Sequence, residues 1–139
     1  MLANIGYAAA YTGVGILLLV VGGFALDLLT PGHLARHIYE ERSVNAAIAL
    51  AAGFLGQGAI AFTTIWTNAT SGFGTALGYT VVFGLLGVLL QVLAFVVLDL
   101  LTPGKLGAML MQVPFHPASL VTAAATLAVS AIIVASIWP

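Results

Sequence analysis

Four stretches of the chain, near Gly6 to Leu29, Val44 to Trp66, Leu77 to Leu101 and Ala118 to Ile137, each run for twenty residues or more with almost no charge. About 20 helical residues cross the ~30 Å hydrocarbon core of a bilayer. Lipid offers a backbone no hydrogen-bond partners, so a span must satisfy its own amides, and these runs lack the period-two alternation of barrel strands. The expected fold is therefore an all-α membrane protein with four transmembrane helices, a single membrane domain over residues 1–139. Only 5% of the side chains are charged, where a soluble domain carries about 25%. The first span lacks the basic flank and short apolar core of a secretory signal and is expected to be retained.

The chain also repeats itself. Leu26-Asp27-Leu28-Leu29-Thr30-Pro31-Gly32 recurs letter for letter as Leu98-Asp99-Leu100-Leu101-Thr102-Pro103-Gly104, and the same shift of 72 superposes Gly6-Tyr7 on Gly78-Tyr79 and Ile65-Trp66 on Ile137-Trp138 without a gap. Alanine and leucine matches are cheap in an apolar chain, but seven consecutive identities with a matched tryptophan at each end point to duplication. Repeat one is assigned to residues 1–67 and repeat two to 73–139. Each copy holds two spans, so both enter the membrane in the same direction, as parallel repeats.

Charge placement orients the bundle. Arg36, Arg42 and Lys105, the only basic side chains, fall in the first and third connections, and the positive-inside rule assigns that face to the cytoplasm, leaving both termini outside. The cytoplasmic connections are expected to form short interfacial helices. Thr30 caps the first with Pro31 at its first helical position, and Leu34 and Ile38 face opposite His33, Arg36, His37, Glu40 and Glu41. Thr102 and Pro103 begin an analogous piece from Lys105 to Val113, with Ser43 and His116 as caps nearby.

Small residues mark where helices approach. Gly53 and Gly56 on the second span, Gly84 and Gly87 on the third, and Ala125 and Ala128 on the fourth recur at helical spacing, the pattern by which backbones pack in lipid without a hydrophobic drive. Asp27 and Asp99 are the sharpest candidates for function, since an acid at a helix C-terminus opposes the macrodipole and an ionised one at membrane depth is costly. They could bind a cation or relay protons at a cytoplasmic mouth, with Gln57 and Gln91 as polar steps deeper in. Alternatively each carboxylate accepts bonds from the Thr30 or Thr102 hydroxyl and nearby amides and fixes a bend. Exact repetition of Asp-x-x-Thr-Pro-Gly favours the bend.

Several classes are excluded or weak. A net charge of -1 from few groups gives nucleic-acid binding no support, and with no cysteine there is neither disulfide nor thiolate chemistry. His33 and His37 share a helix face, but no third ligand is evident, so no metal is assigned and they are read as a solvated face. No nucleophile–base pair or phosphate loop is present, so neither enzyme activity nor a cofactor is expected. Trp66, Trp138, Tyr7 and Tyr79 at the outer helix ends read as interfacial anchors.

Two tandem two-helix units, each with an acidic residue followed by Thr-Pro at the end of its first helix, as in Asp27 to Gly32 and Asp99 to Gly104, resemble the small membrane proteins of domain-of-unknown-function family 350. The resemblance spans nearly the whole chain and implies a bacterial inner-membrane location, no established activity and an accessory role. The expected function is that of a non-enzymatic structural or accessory subunit of a membrane assembly, its partners being the bilayer and either further copies of itself or other membrane proteins. A small ion or proton channel or transporter using Asp27 and Asp99 is the alternative.

Overall fold

The computed structural model describes residues 1–138 and contains six α-helices: α1 (Leu2–Leu29), α2 (Leu34–Tyr39), α3 (Val44–Thr67), α4 (Phe73–Leu101), α5 (Leu106–Leu110) and α6 (Ala118–Ile137). Among the described residues there is no strand. Helices α1, α3, α4 and α6 are long and apolar enough to cross a membrane and cover the four stretches expected from sequence. Shifting the first three elements by 72 residues lands them within two residues of the last three at every boundary.

Helix ends follow from local chemistry. Pro31 and Pro103 disfavour helical backbone at the residue before them, and Thr30 and Thr102 accordingly end α1 and α4 in extended conformation, at ψ 132° and 128°. Gly32 and Gly104 then take φ of +88° and +95°, a left-handed conformation open to glycine at little cost. The chain turns there, so Thr30 and Thr102 cap the C-termini of the long helices rather than the N-termini of the short ones, whose N-caps are His33 and Lys105. This corrects the expected caps, and the second short helix is also briefer than the Lys105 to Val113 piece the sequence suggested.

Helices α3 and α4 form the centre, each touching α1 and α6, while α1 and α6 scarcely meet. The most extensive packing is between α3 and α6, from different halves, so the halves interlock. In α1 only Leu18 is buried, whereas α3 buries ten residues, several of them polar. Large apolar side chains such as Leu17, Phe24, Leu55, Phe62, Leu89 and Ile132 face outward, as expected where lipid rather than water is the solvent.

Small residues permit the closest contacts. A Cβ on Gly84 would collide with Leu18, one on Gly56 would run into the Ser130 hydroxyl and lie 2.8 Å from its Cβ, and one on Gly87 would fall 2.7 Å from Ile60 Cδ1. Gly53 has nothing within 4 Å of a Cβ position, Ala125 is half-buried and Ala128 is exposed, so the tight seam runs through Gly56, Gly84 and Gly87. Tyr7 stacks on Phe73 at 4.3 Å and Tyr11 meets the same ring edge-on at 5.6 Å, joining the starts of α1 and α4.

Gly56→Ala should push α3 from α6 and lower stability by about 1–3 kcal/mol, the usual range for overpacking. Gly53→Ala should be neutral or stabilising by up to about 1 kcal/mol, from helix propensity. Unfolding in mixed micelles followed by circular dichroism separates them; equal effects would contradict the α3–α6 contact.

Candidate functional site

Asp27 and Asp99 sit in the last turns of α1 and α4, two residues before their ends, where the last helical carbonyls lack intrahelical donors. The Thr30 hydroxyl donates to Leu26 O at 3.1 Å and the Thr102 hydroxyl to Leu98 O at 2.7 Å. The hydroxyls therefore do not reach the carboxylates, contrary to the sequence expectation that they donate there alongside nearby amides. A threonine in this position prefers the carbonyl one turn back. Each carboxylate instead receives the first amide of the next helix: Leu34 N–H donates to Asp27 Oδ1, and Leu106 N–H to Asp99 Oδ1 at 2.6 Å. Donor and acceptor are seven residues apart in both cases. Such an amide, at the start of a helix, has no intrahelical acceptor, and a charge-assisted bond is stronger than a neutral one.

The surroundings of the two corners differ. At the first, His33 Nδ1 stands 3.7 Å from Asp27 Oδ2. His37, expected on a solvated face, is buried: Nδ1 lies 2.6 Å from Glu41 Oε2 and Nε2 3.3 Å from Pro31 O. Gly32 makes this possible, because a Cβ there would sit 2.7 Å from Nε2. Arg36 pairs with Glu40 at 3.4 Å on the exposed side. At the second corner Met109 replaces His37 against Gly104, and α5 tucks beneath the bundle with Leu106, Gly107 and Leu110 buried. Gly107 fits because a Cβ there would meet Leu29 O at 3.0 Å and Pro31 Cδ at 3.2 Å. Pro31, itself largely exposed, thus borders the second half at Gly107. Leu106 and Leu110 join Ala49 and Phe95 in an apolar cluster flanked by Leu26, Leu29 and Leu98. Among the described residues no group of three His, Asp or Glu side chains could hold a metal ion.

The two glutamines lie deeper and each ties a pair of spans. Gln57 Nε2 donates to Gly84 O at 2.7 Å, joining α3 to α4. Gln91 Nε2 donates to Ser130 Oγ at 2.8 Å, joining α4 to α6, and that hydroxyl donates on to Thr126 O at 2.8 Å. The hydroxyls of Thr122 and Thr126 likewise return to carbonyls of their own helix.

Sequence reasoning missed Asn45. It is fully buried at the start of α3. Nδ2 donates to Gln112 O at 2.9 Å and Pro114 O at 2.8 Å, while Oδ1 accepts His116 N–H at 2.8 Å. Beside it the Ser43 hydroxyl is shared by Leu110 O and Gln112 O at 3.0 Å each, and its oxygen accepts Ala46 N–H, so Ser43 is both the expected cap and a clamp. His116 was the other expected cap, but the N-cap of α6 is Pro117, and His116 instead accepts Ala118 N–H on Nδ1 at 3.1 Å from one residue further out. The one available signal for Asn45 was an amide at the head of an otherwise apolar span. Its partners are backbone carbonyls about seventy residues away and leave no trace in side-chain identity.

Fold and site together define a small, four-span helical membrane protein with a polar clasp at one end of the bundle. The chain belongs to the family described as Domain of Unknown Function (DUF350), which matches residues 1–137. It is similar to a UPF0719 transmembrane protein of Mycolicibacterium paratuberculosis, 34% identical over 127 residues that cover 91% of this chain and 83% of the relative. A UPF0719 transmembrane protein of Mycobacterium bovis is 32% identical over 127 residues, with the same coverage of both chains. No solved structure matches the chain.

Asn45→Ala leaves the Pro114 carbonyl and the His116 amide without their Asn45 partner, while Gln112 O keeps the Ser43 hydroxyl. It should lower stability by about 2 kcal/mol or more, given about 1–3 kcal/mol for each buried group left unpaired. Thermal unfolding in detergent, followed by circular dichroism, tests this; an unchanged midpoint would mean the clasp contributes nothing.

Proposed function

We propose that this protein is a non-enzymatic accessory or scaffold subunit of a membrane assembly, in which Asp27 and Asp99 hold helix corners rather than conduct ions. The observation that carries the proposal is the matched use of both carboxylates: each has an oxygen engaged by the first amide of the following short helix, in the same register. An acid that opposes one helix C-terminus is thereby explained by the next helix's orphan amide. Length supports an interfacial depth. At about 1.5 Å per residue, the 28 and 29 residues of α1 and α4 exceed what a bilayer core requires, so their final turns can lie among headgroups.

The channel alternative requires a polar route inward from the aspartates. Phe95, one helical turn from both Gln91 and Asp99, is buried in the apolar cluster between them, and the amide nitrogens of Gln57 and Gln91 are already engaged. Association with further copies or with other membrane proteins is supported by glycines left open on the spans: Gly6, Gly13, Gly53, Gly58, Gly74 and Gly78 have no atom within 4 Å of a Cβ position. Helix α2, with Ala35, Arg36 and Tyr39 exposed, supplies further surface. In this reading the charged end faces the cytoplasm of a bacterial inner membrane and both termini lie outside, following the basic residues.

The test is flux of protons and monovalent cations into liposomes carrying the wild type or the Asp27→Asn, Asp99→Asn double variant, with amide hydrogen exchange on the same samples. The scaffold reading expects no flux above protein-free vesicles from either. It also expects exchange at Leu34 and Leu106 to quicken on the order of tenfold in the variant, the effect of losing about 1.4 kcal/mol from a charge-assisted bond. Wild-type flux that the double change abolishes would overturn the proposal.

A further inference from the structure

Halfway along α3, Gln57 is only 1% exposed. Its orientation is fixed by Gly84: Nε2 stands 2.7 Å from that carbonyl oxygen, and exchanging the amide's nitrogen and oxygen would set two acceptors face to face. Oε1 is therefore the atom left over. It lies 3.1 Å from where a Cβ on Gly87 would be and accepts no hydrogen bond among the described residues. A buried acceptor without a donor is strongly disfavoured, and lipid supplies none.

Gln57 lines a cavity of about 30 Å³ bounded by all four spans, whose other polar walls are Gln91, Thr122 and Thr126. A buried water needs about 10–15 Å³ on this measure and two to four polar partners. The hydroxyl hydrogens of Thr122 and Thr126 are committed to Ala118 O and Thr122 O, and one of the two hydrogens on Gln91 Nε2 to Ser130. Neither hydroxyl has a hydrogen left for Gln57 Oε1, so the group that satisfies this oxygen must be a donor. It must also be neutral, because no charged side chain lines the cavity, and an unpaired cation at this depth would be costly.

We propose that the bundle binds a single water molecule at its centre. The water donates to Gln57 Oε1 and completes its hydrogen bonds with the side chains of Gln91, Thr122 or Thr126. It is a fixed component of the packed helices and makes the α3–α4 contact at Gly84 and Gly87 compatible with a polar side chain in mid-membrane.

The experiment is water-to-amide magnetisation transfer in the full-length, deuterated chain in lipid nanodiscs, reading the glutamine side-chain amides. The wild type should show water contact at Gln57 despite its burial. In Gln57→Met, which keeps the volume but removes the acceptor, the contact at the Gln91 amide should disappear while that at the side-chain amide of the exposed Gln112 persists. A folded wild type without water contact at Gln57 overturns the proposal even if the variant cannot be prepared. A Gln91 contact that survives in Gln57→Met overturns it as well, since the water would then be held elsewhere.

Discussion

A backbone amide that leaves one helix near hydrocarbon and has not yet entered the next must find an acceptor within the protein. Most of what is distinctive in this chain meets that requirement. Asp27 takes the Leu34 amide, Asp99 the Leu106 amide and Asn45 the His116 amide. Carbonyls at the ends of α1 and α4 are served in the same economical way, by Thr30 and Thr102 reaching back one turn. With these groups satisfied locally, the four spans need little more than shape complementarity to pack.

The two halves use one motif in two settings. In the first, the corner carries a charged, partly exposed helix with His37 folded under it against Glu41. In the second, the corner directs an apolar helix inward, where Gly107 lies against the end of α1. Ser43 and Asn45 have Phe115 and Pro117 at the shifted positions, so the clasp exists once only. An identical heptapeptide thus sets the bend, and the residues after it decide whether the next helix lies outside the bundle or beneath it.

How much of this was legible depended on the range of the interaction. The spans were plain from their length and lack of charge, and the approach at Gly56, Gly84 and Gly87 from residue size. For Asp27 and Asp99 the expected backbone amides are present but the expected threonine hydroxyls are not. A threonine three residues away looked nearer than it is: its hydroxyl turns back to its own helix, while the amide comes from seven residues on, across a glycine turn. His37 was placed on a solvated face because periodicity says which way a side chain leaves its helix, not that a left-handed glycine lets the preceding turn fold over it. Asn45 was invisible for a stricter reason: it recognises main-chain groups whose position exists only once all four spans are packed.

Helix α3 is the least apolar of the four spans and the one with most buried residues. During synthesis it reaches the bilayer before any of the groups that later engage it. Gln57 waits for a carbonyl 27 residues downstream, and Asn45 for carbonyls 67 and 69 residues downstream. The first hairpin to be inserted is therefore an unfinished object: Gln57 gains its carbonyl with the third span, α4, and Asn45 gains its partners only with the connection that leads into α6. Burial of Asn45 thus completes late in the order of synthesis, after three of the four spans have been made.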